Sequence, residues 1–227
     1  MAVLVLGLTF ATLLSSCSQQ AASENEISTE NAPPVTFYTD DELSQLAPGI
    51  YILRREHGFH LRLYPRRFKE SSIAELKALE QKLTTLIPGS TDLAGSQIKE
   101  LLTALSESKE AYAILSRNVS PIKPSSISCS AHASAMPTSA QPGAKAYATA
   151  SCGWYAFNAQ ARTGARAGSV QDNDFDSGIR YASTSSVAYL PPEGGTCSSY
   201  GSAAGYIQWG SLRYLDAYDF DSNGSCY

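Results

Sequence analysis

The chain contains no block of lysine or arginine; the nearest is Arg66, Arg67 and Lys69, which reads as a solvated loop. The net charge is −4 and the pI is near 5.4. Nucleic-acid binding needs a basic footprint, so no nucleic-acid partner is expected. No C-x2-C pair is present, which removes the usual zinc frameworks. H-E-x-x-H and the phosphate-binding P-loop are also missing. The serine at 202 lies in GSAAG, which is not the G-x-S-x-G nucleophile elbow. Leucine and isoleucine are sparse beyond residue 119, so aromatic rings are expected to fill much of the core there.

What is present is alanine at every second position. Ala131, Ala133 and Ala135 form one run; Ala144, Ala146, Ala148 and Ala150 form another. Period two is the strand signature, because successive side chains point to opposite faces. Residues 137–143 between the runs are rich in turn formers. A hairpin centred there places Cys129 opposite Cys152, Ala131 opposite Ala150, Ala133 opposite Ala148 and Ala135 opposite Ala146. The other face pairs Ser130 with Ser151, His132 with Thr149 and Ser134 with Tyr147. A slip of one residue would break the cysteine and alanine pairings together. Alanine is a poor strand former, so this face is expected to meet a second sheet whose large side chains fill the space above it.

The N-terminal residues 2–14, AVLVLGLTFATLL, are an apolar run too short for a comfortable membrane span and fit a signal h-region. It ends in Leu14-Ser15-Ser16-Cys17. This resembles the lipobox of bacterial lipoproteins: an aliphatic residue, two small residues, then a cysteine that is lipidated. The resemblance covers the export signal only. It implies a signal peptide over 1–16, acylation (palmitate) at Cys17 and attachment to the bacterial envelope, at the outer membrane or cell surface. Residues 17–34 are polar and close on two prolines, which reads as a disordered tether.

The four remaining cysteines form an even set in an exported chain, which suggests disulfides. The hairpin register selects Cys129–Cys152, and Cys197–Cys226 follows by elimination. Each would contribute roughly 2–4 kcal/mol.

Residues 35–118 read as a small α+β domain. Thr39 and Glu42 form a capping box that opens a short helix to about Ala47. Residues 49–64 read as a hairpin turning at 56–58, with Phe59, Leu61 and Leu63 on one face and His60 and Arg62 on the other. His57 and His60 invite a metal reading, but no acidic cluster stands near them in sequence. Helices are expected over 72–87, 93–105 and 109–115, followed by a joint at 119–127. Residues 119–227 hold nine of the 13 tyrosines, and read as an all-β disulfide-bonded sandwich or small barrel. Within it, the alternation changes parity at Gly153, as a bulge would cause. Ile179, Tyr181, Val187 and Tyr189 share one strand face, and two more strands flank Gly210.

Three features bear on function. Asp219, Asp221, Asn223 and Gly224 match the first half of an EF-hand-type calcium loop. Asp174-Phe175-Asp176-Ser177-Gly178 is a shorter echo. Both are expected to be turns, with calcium at Asp219, Asp221 and Asn223 as the alternative and no other cofactor. Trp154, Tyr155, Tyr200 and Trp209 are candidates for stacking on a carbohydrate or protein ligand. His132 lies between Ser130 and Ser134 on the expected strand face with no acid partner assignable, so no catalytic residue is named, and an envelope hydrolase would need polar groups to converge in a pocket beside it. The reading favoured by the sequence is a lipid-anchored protein with a non-catalytic binding or structural role at the surface; the hydrolase is the alternative.

Overall fold

A computed structural model describes residues 37–69, 128–153, 156–209 and 212–227, with helical residues inside 71–79 and 100–108. The expected signal, Cys17, the expected tether, the helix expected over 109–115 and the joint expected at 119–127 lie outside the described residues, as do Trp154 and Tyr155. The chain from Pro34 to Tyr227 forms one compact unit. None of the described helices is long and apolar enough to cross a membrane.

Among the described residues ten strands form two antiparallel sheets: β1 Ser44–Ala47, β2 Ile50–Arg55, β3 Gly58–Leu63, β4 Cys129–Pro137, β5 Gly143–Cys152, β6 Ala156–Ala167, β7 Val170–Gly178, β8 Tyr181–Tyr189, β9 Cys197–Trp209 and β10 Leu212–Asn223. The larger sheet has the order β1-β2-β3-β10-β9-β6-β7, the smaller β4-β5-β8. The smaller sheet lies on β10, β9, β6 and β7, making a sandwich.

The β4–β5 hairpin has the expected register, from Cys129 opposite Cys152 through Ala135 opposite Ala146. Both disulfides, Cys129–Cys152 and Cys197–Cys226, are formed. The alanine face does meet a second sheet, whose facing side chains are mostly small, with Ile207 and Tyr214 as the large ones. Ala159, Ala161, Ala165, Ala167, Ala203 and Ala217 are buried against Ala131, Ala148, Ala150, Ala182 and Ala188. Around the alanines, Cα atoms of facing strands come within 8 Å. Ordinary sheets stack about 10 Å apart. Two glycines of β9 permit this approach. A Cβ on Gly201 would lie 2.5 Å from the Tyr147 carbonyl oxygen, and one on Gly205 would lie 2.3 Å from Cys129 Cβ. The aromatic and leucine core instead covers the opposite face of the larger sheet. There Ile50, Leu61, Leu63, Leu215, Tyr218 and Phe220 pack with Leu79, Leu101 and Leu105 of the helical segments.

Several expectations need correction. The capping box at Thr39 forms, with the Thr39 N–H donating to Glu42 Oε2 at 2.6 Å, but it opens only one 3-10 turn, Asp40–Glu42. Residues Ser44–Ala47 then pair with β2 as a strand. The reason is the next turn: Gly49, at φ 81°, folds the chain into a hairpin. Gly153 is not a bulge inside a strand. It lies where the chain leaves β5 and crosses to β6 in the other sheet, and the β6 irregularity falls between Ala156 and Asn158. The N-terminal hairpin is not a body apart from the β domain. β3 is hydrogen-bonded to β10, with Arg62 opposite Asp219 and His60 opposite Asp221. The helices expected over 72–87 and 93–105 are described only within 71–79 and 100–108, where they are helical.

Candidate functional site

The acidic motifs lie in strands, not in turns. In β10, Asp219 and Asp221 point inward between the sheets and are fully buried. The register of β10 slips between Leu215 and Ala217, which inserts Asp216 as an extra residue. This bulge brings its carboxylate to the same side as the other two. All three carboxylates accept backbone N–H groups from the free edge of β4: Cys129 to Asp216 at 2.7 Å, Ala133 to Asp219 at 2.8 Å and Ala135 to Asp221 at 2.8 Å. The aspartates take the place of a neighbouring strand, since edge N–H groups shut away from water need acceptors.

β7 does the same for the other edge of the smaller sheet. Val187 N–H donates to Asp172 Oδ2 and Ser183 N–H to Asp176 Oδ2, each at 2.8 Å. Between them the Thr184 hydroxyl donates to Asp174. Thus the D-x-D spacing serves as a comb, because period two places every carboxylate on one face of its strand.

The β10 comb carries bases behind it. Asp219 accepts from His60 Nε2 at 2.7 Å and from Arg62 Nε at 3.1 Å. Asp221 is ion-paired with Arg55, and its Oδ1 lies 3.6 Å from His60 Nδ1. Asp216 is ion-paired with Arg66. Arg62 reaches on to Asp40 at 2.8 Å and to the Tyr38 carbonyl at 2.8 Å. Burial disfavours the His60 cation, but hydrogen bonds and charge attraction from Asp219 and Asp221 outweigh it and push its pKa up to about 9. His60 is therefore protonated at neutral pH and is no general base. Burial pushes Asp216 and Asp221 up, opposed by the Cys129 and Ala135 N–H groups and by the bases beside them. The carboxylates and His60 of this network are buried, its outer members Arg55, Arg66 and Asp40 are partly exposed, and together they join strands.

This cluster answers the metal readings. His57 sits exposed at the hairpin turn, while both nitrogens of His60 face Asp219 and Asp221. The turn expected at Asp219–Gly224, with calcium as its alternative, is instead a strand through Asn223 whose carboxylates are engaged by protein groups, and Asn223 Oδ1 accepts the Ser225 N–H at 3.1 Å. No group of three or more His, Cys, Asp or Glu side chains converges as a metal site among the described residues.

His132 is half-buried, and burial lowers its pKa. Its ring lies 5.6 Å from that of Phe37. Its buried Nδ1 has no hydrogen-bond partner among the described residues. Ser130 is exposed on one side of it and Ser134 buried on the other.

Of the expected stacking residues, Tyr200 is 7% exposed and its ring is stacked on Phe220, so it belongs to the core. Trp209 closes β9, and only its backbone is described. Among the described residues the rings that face solvent are Tyr227 at the chain end, Tyr181 at 60%, Phe175 at 51%, Tyr189 at 50% and Phe157. Tyr181, Ser183, Ser185, Val187 and Tyr189 form the outward row of β8, while Ala182, Thr184, Ser186 and Ala188 face the alanines. The alternation of β8 already grouped the tyrosines. Their outward direction could have been inferred from the opposite, small face, which alone fits an alanine-lined interior. A shallow cleft also opens between helical residues 100–104 and the outer face of the larger sheet. Gln160, Tyr206 and Tyr218 line it, and Arg162 pairs with Glu100 at 3.2 Å across it.

No protein-family model, curated protein or solved structure matches this chain.

Proposed function

We propose that this chain is a lipid-anchored protein of the bacterial envelope that binds a surface ligand without catalysis. The lipobox-like Leu14-Ser15-Ser16-Cys17 supports the anchor. The two disulfides support an oxidising, extracytoplasmic compartment.

One observation carries the binding role: the outward row of β8. Tyr181 and Tyr189 stand eight residues apart on one strand, about 27 Å, with Ser183 and Ser185 exposed between them. The row has no formal charge, although the chain is acidic overall. Tyrosine rings offer flat apolar faces with a polar tip, and serine hydroxyls both donate and accept. That combination suits an extended neutral carbohydrate, whose ring faces stack and whose hydroxyls pair.

Co-sedimentation of the purified protein with insoluble neutral polysaccharides tests this reading. The double variant Tyr181→Ala/Tyr189→Ala is expected to lose at least tenfold in retention while keeping its melting temperature. Equal retention of parent and variant would exclude this row as the binding surface. In cells, Cys17→Ala should move the protein to the soluble fraction, because acyl chains alone hold it at the membrane.

A further inference from the structure

We infer that residues 39–67 and the β sandwich are two complementary pieces of one fold that stay together when the polypeptide between them is cut. Proteolysis near 119–127 then yields a two-piece protein instead of releasing the N-terminal part.

The argument rests on what each piece lacks alone. The sandwich contributes Asp216, Asp219 and Asp221, all buried. Among the described residues every base paired with them comes from the N-terminal piece: Arg66 for Asp216, His60 and Arg62 for Asp219, Arg55 and His60 for Asp221. Removing one partner of a buried pair leaves an uncompensated charge, which is strongly unfavourable. The same removal would bare the edge of β10, whose residues Tyr218–Asp221 pair with His60–Leu63 of β3. It would also split an apolar layer, since Ile50, Leu61 and Leu63 share one cluster with Leu215, Tyr218 and Phe220. The three aspartates hold β4 through its backbone N–H groups at the same time. Loss of the hairpin therefore reaches the alanine seam as well. Both disulfides lie within the C-terminal piece, so no covalent bond spans the cut.

The test replaces residues 119–127 with a specific protease site in the full chain. Cutting is driven to completion, as judged on a denaturing reducing gel. On native size-exclusion chromatography at pH 7 the cut protein is expected to elute at the position of the uncut one, with both pieces in the peak. Separate elution of the pieces would overturn the inference. The role of the charges is read in the same cut protein carrying His60→Gln, which keeps a hydrogen-bond donor, or Arg62→Met. Each is first shown by circular dichroism to fold uncut. Dissociation at concentrations at least tenfold higher than for the cut parent is expected for His60→Gln, and at least a hundredfold higher for Arg62→Met. Equal cohesion of cut parent and variants would show that the apolar layer alone joins the pieces.

Discussion

The same four residues, Asp-Phe-Asp-Ser, occur at 174–177 in β7 and at 219–222 in β10, and their surroundings differ. Both strands turn carboxylates toward a free edge of the smaller sheet and accept its backbone N–H groups. In β7, Asp174 is exposed and Asp172 and Asp176 are half-buried; none has an ion-pair partner among the described residues. In β10 the carboxylates are buried, and each has at least one base. The contrast shows what the cations are for. A carboxylate can close a strand edge by itself where water reaches its other oxygen. Inside the protein the charge must also be balanced, because desolvating an ion costs several kcal/mol.

The largest effect should come from breaking the buried comb. Asp219→Ala leaves His60 and Arg62 without their shared counter-charge and the Ala133 N–H without an acceptor. A loss of about 3–5 kcal/mol is expected, which approaches the whole stability of many domains. Urea denaturation measures it. A loss under about 1 kcal/mol would mean that the buried bases find other partners and the two combs are energetically alike.

Next comes the pH dependence, which should belong to the β10 comb alone. The pKa of His60 is raised from 6.5 to about 9 in the folded chain. Its stabilisation is therefore complete below pH 6.5 and is lost as pH rises through about 9, on the order of 3 kcal/mol. Melting temperatures recorded from pH 6 to 10 should fall in the parent and flatten across that window in His60→Gln. A parent curve that stays level would contradict a cationic His60. Asp176→Ala should leave the slope untouched.

The smallest effect is expected at the exposed comb. Asp176→Ala removes one acceptor from the Ser183 N–H where water can replace it, so a loss of about 1 kcal/mol is expected. Asp176→Asn, which keeps an acceptor oxygen, should lose less. If Asp176→Ala proved as damaging as Asp219→Ala, burial would not be what separates the two strands.

Much of the hairpin that ends in the alanine seam was legible. Its two strands are neighbours in sequence, its alternation is unbroken, and the cysteines and alanines agree on one register. The acidic motifs were misread because Asp, Asn and Gly act locally as turn formers, and the sequence around Asp174 and Asp219 holds nothing local to overrule them. The acids of His60 were missed for a related reason: Asp219 is 159 residues away. Whether Tyr200 fills the core or faces a ligand is open in the sequence, because a core poor in leucine does not say which aromatics fill it.

The sequence by itself determined where the β4–β5 strands alternate and which cysteines pair. Those properties follow from period two and from turn chemistry, which act over a few residues. Only the tertiary structure decided that the alanine face would meet a second, mostly small-residue face, that the carboxylates would close strand edges, and that the β2–β3 hairpin and the turn after it would bring four bases to β10. These depend on which faces can be buried together across the whole chain. A pairing over so long a separation is selected by the combined burial of apolar surface and the compensation of buried charge, and neither is carried by any one stretch of residues.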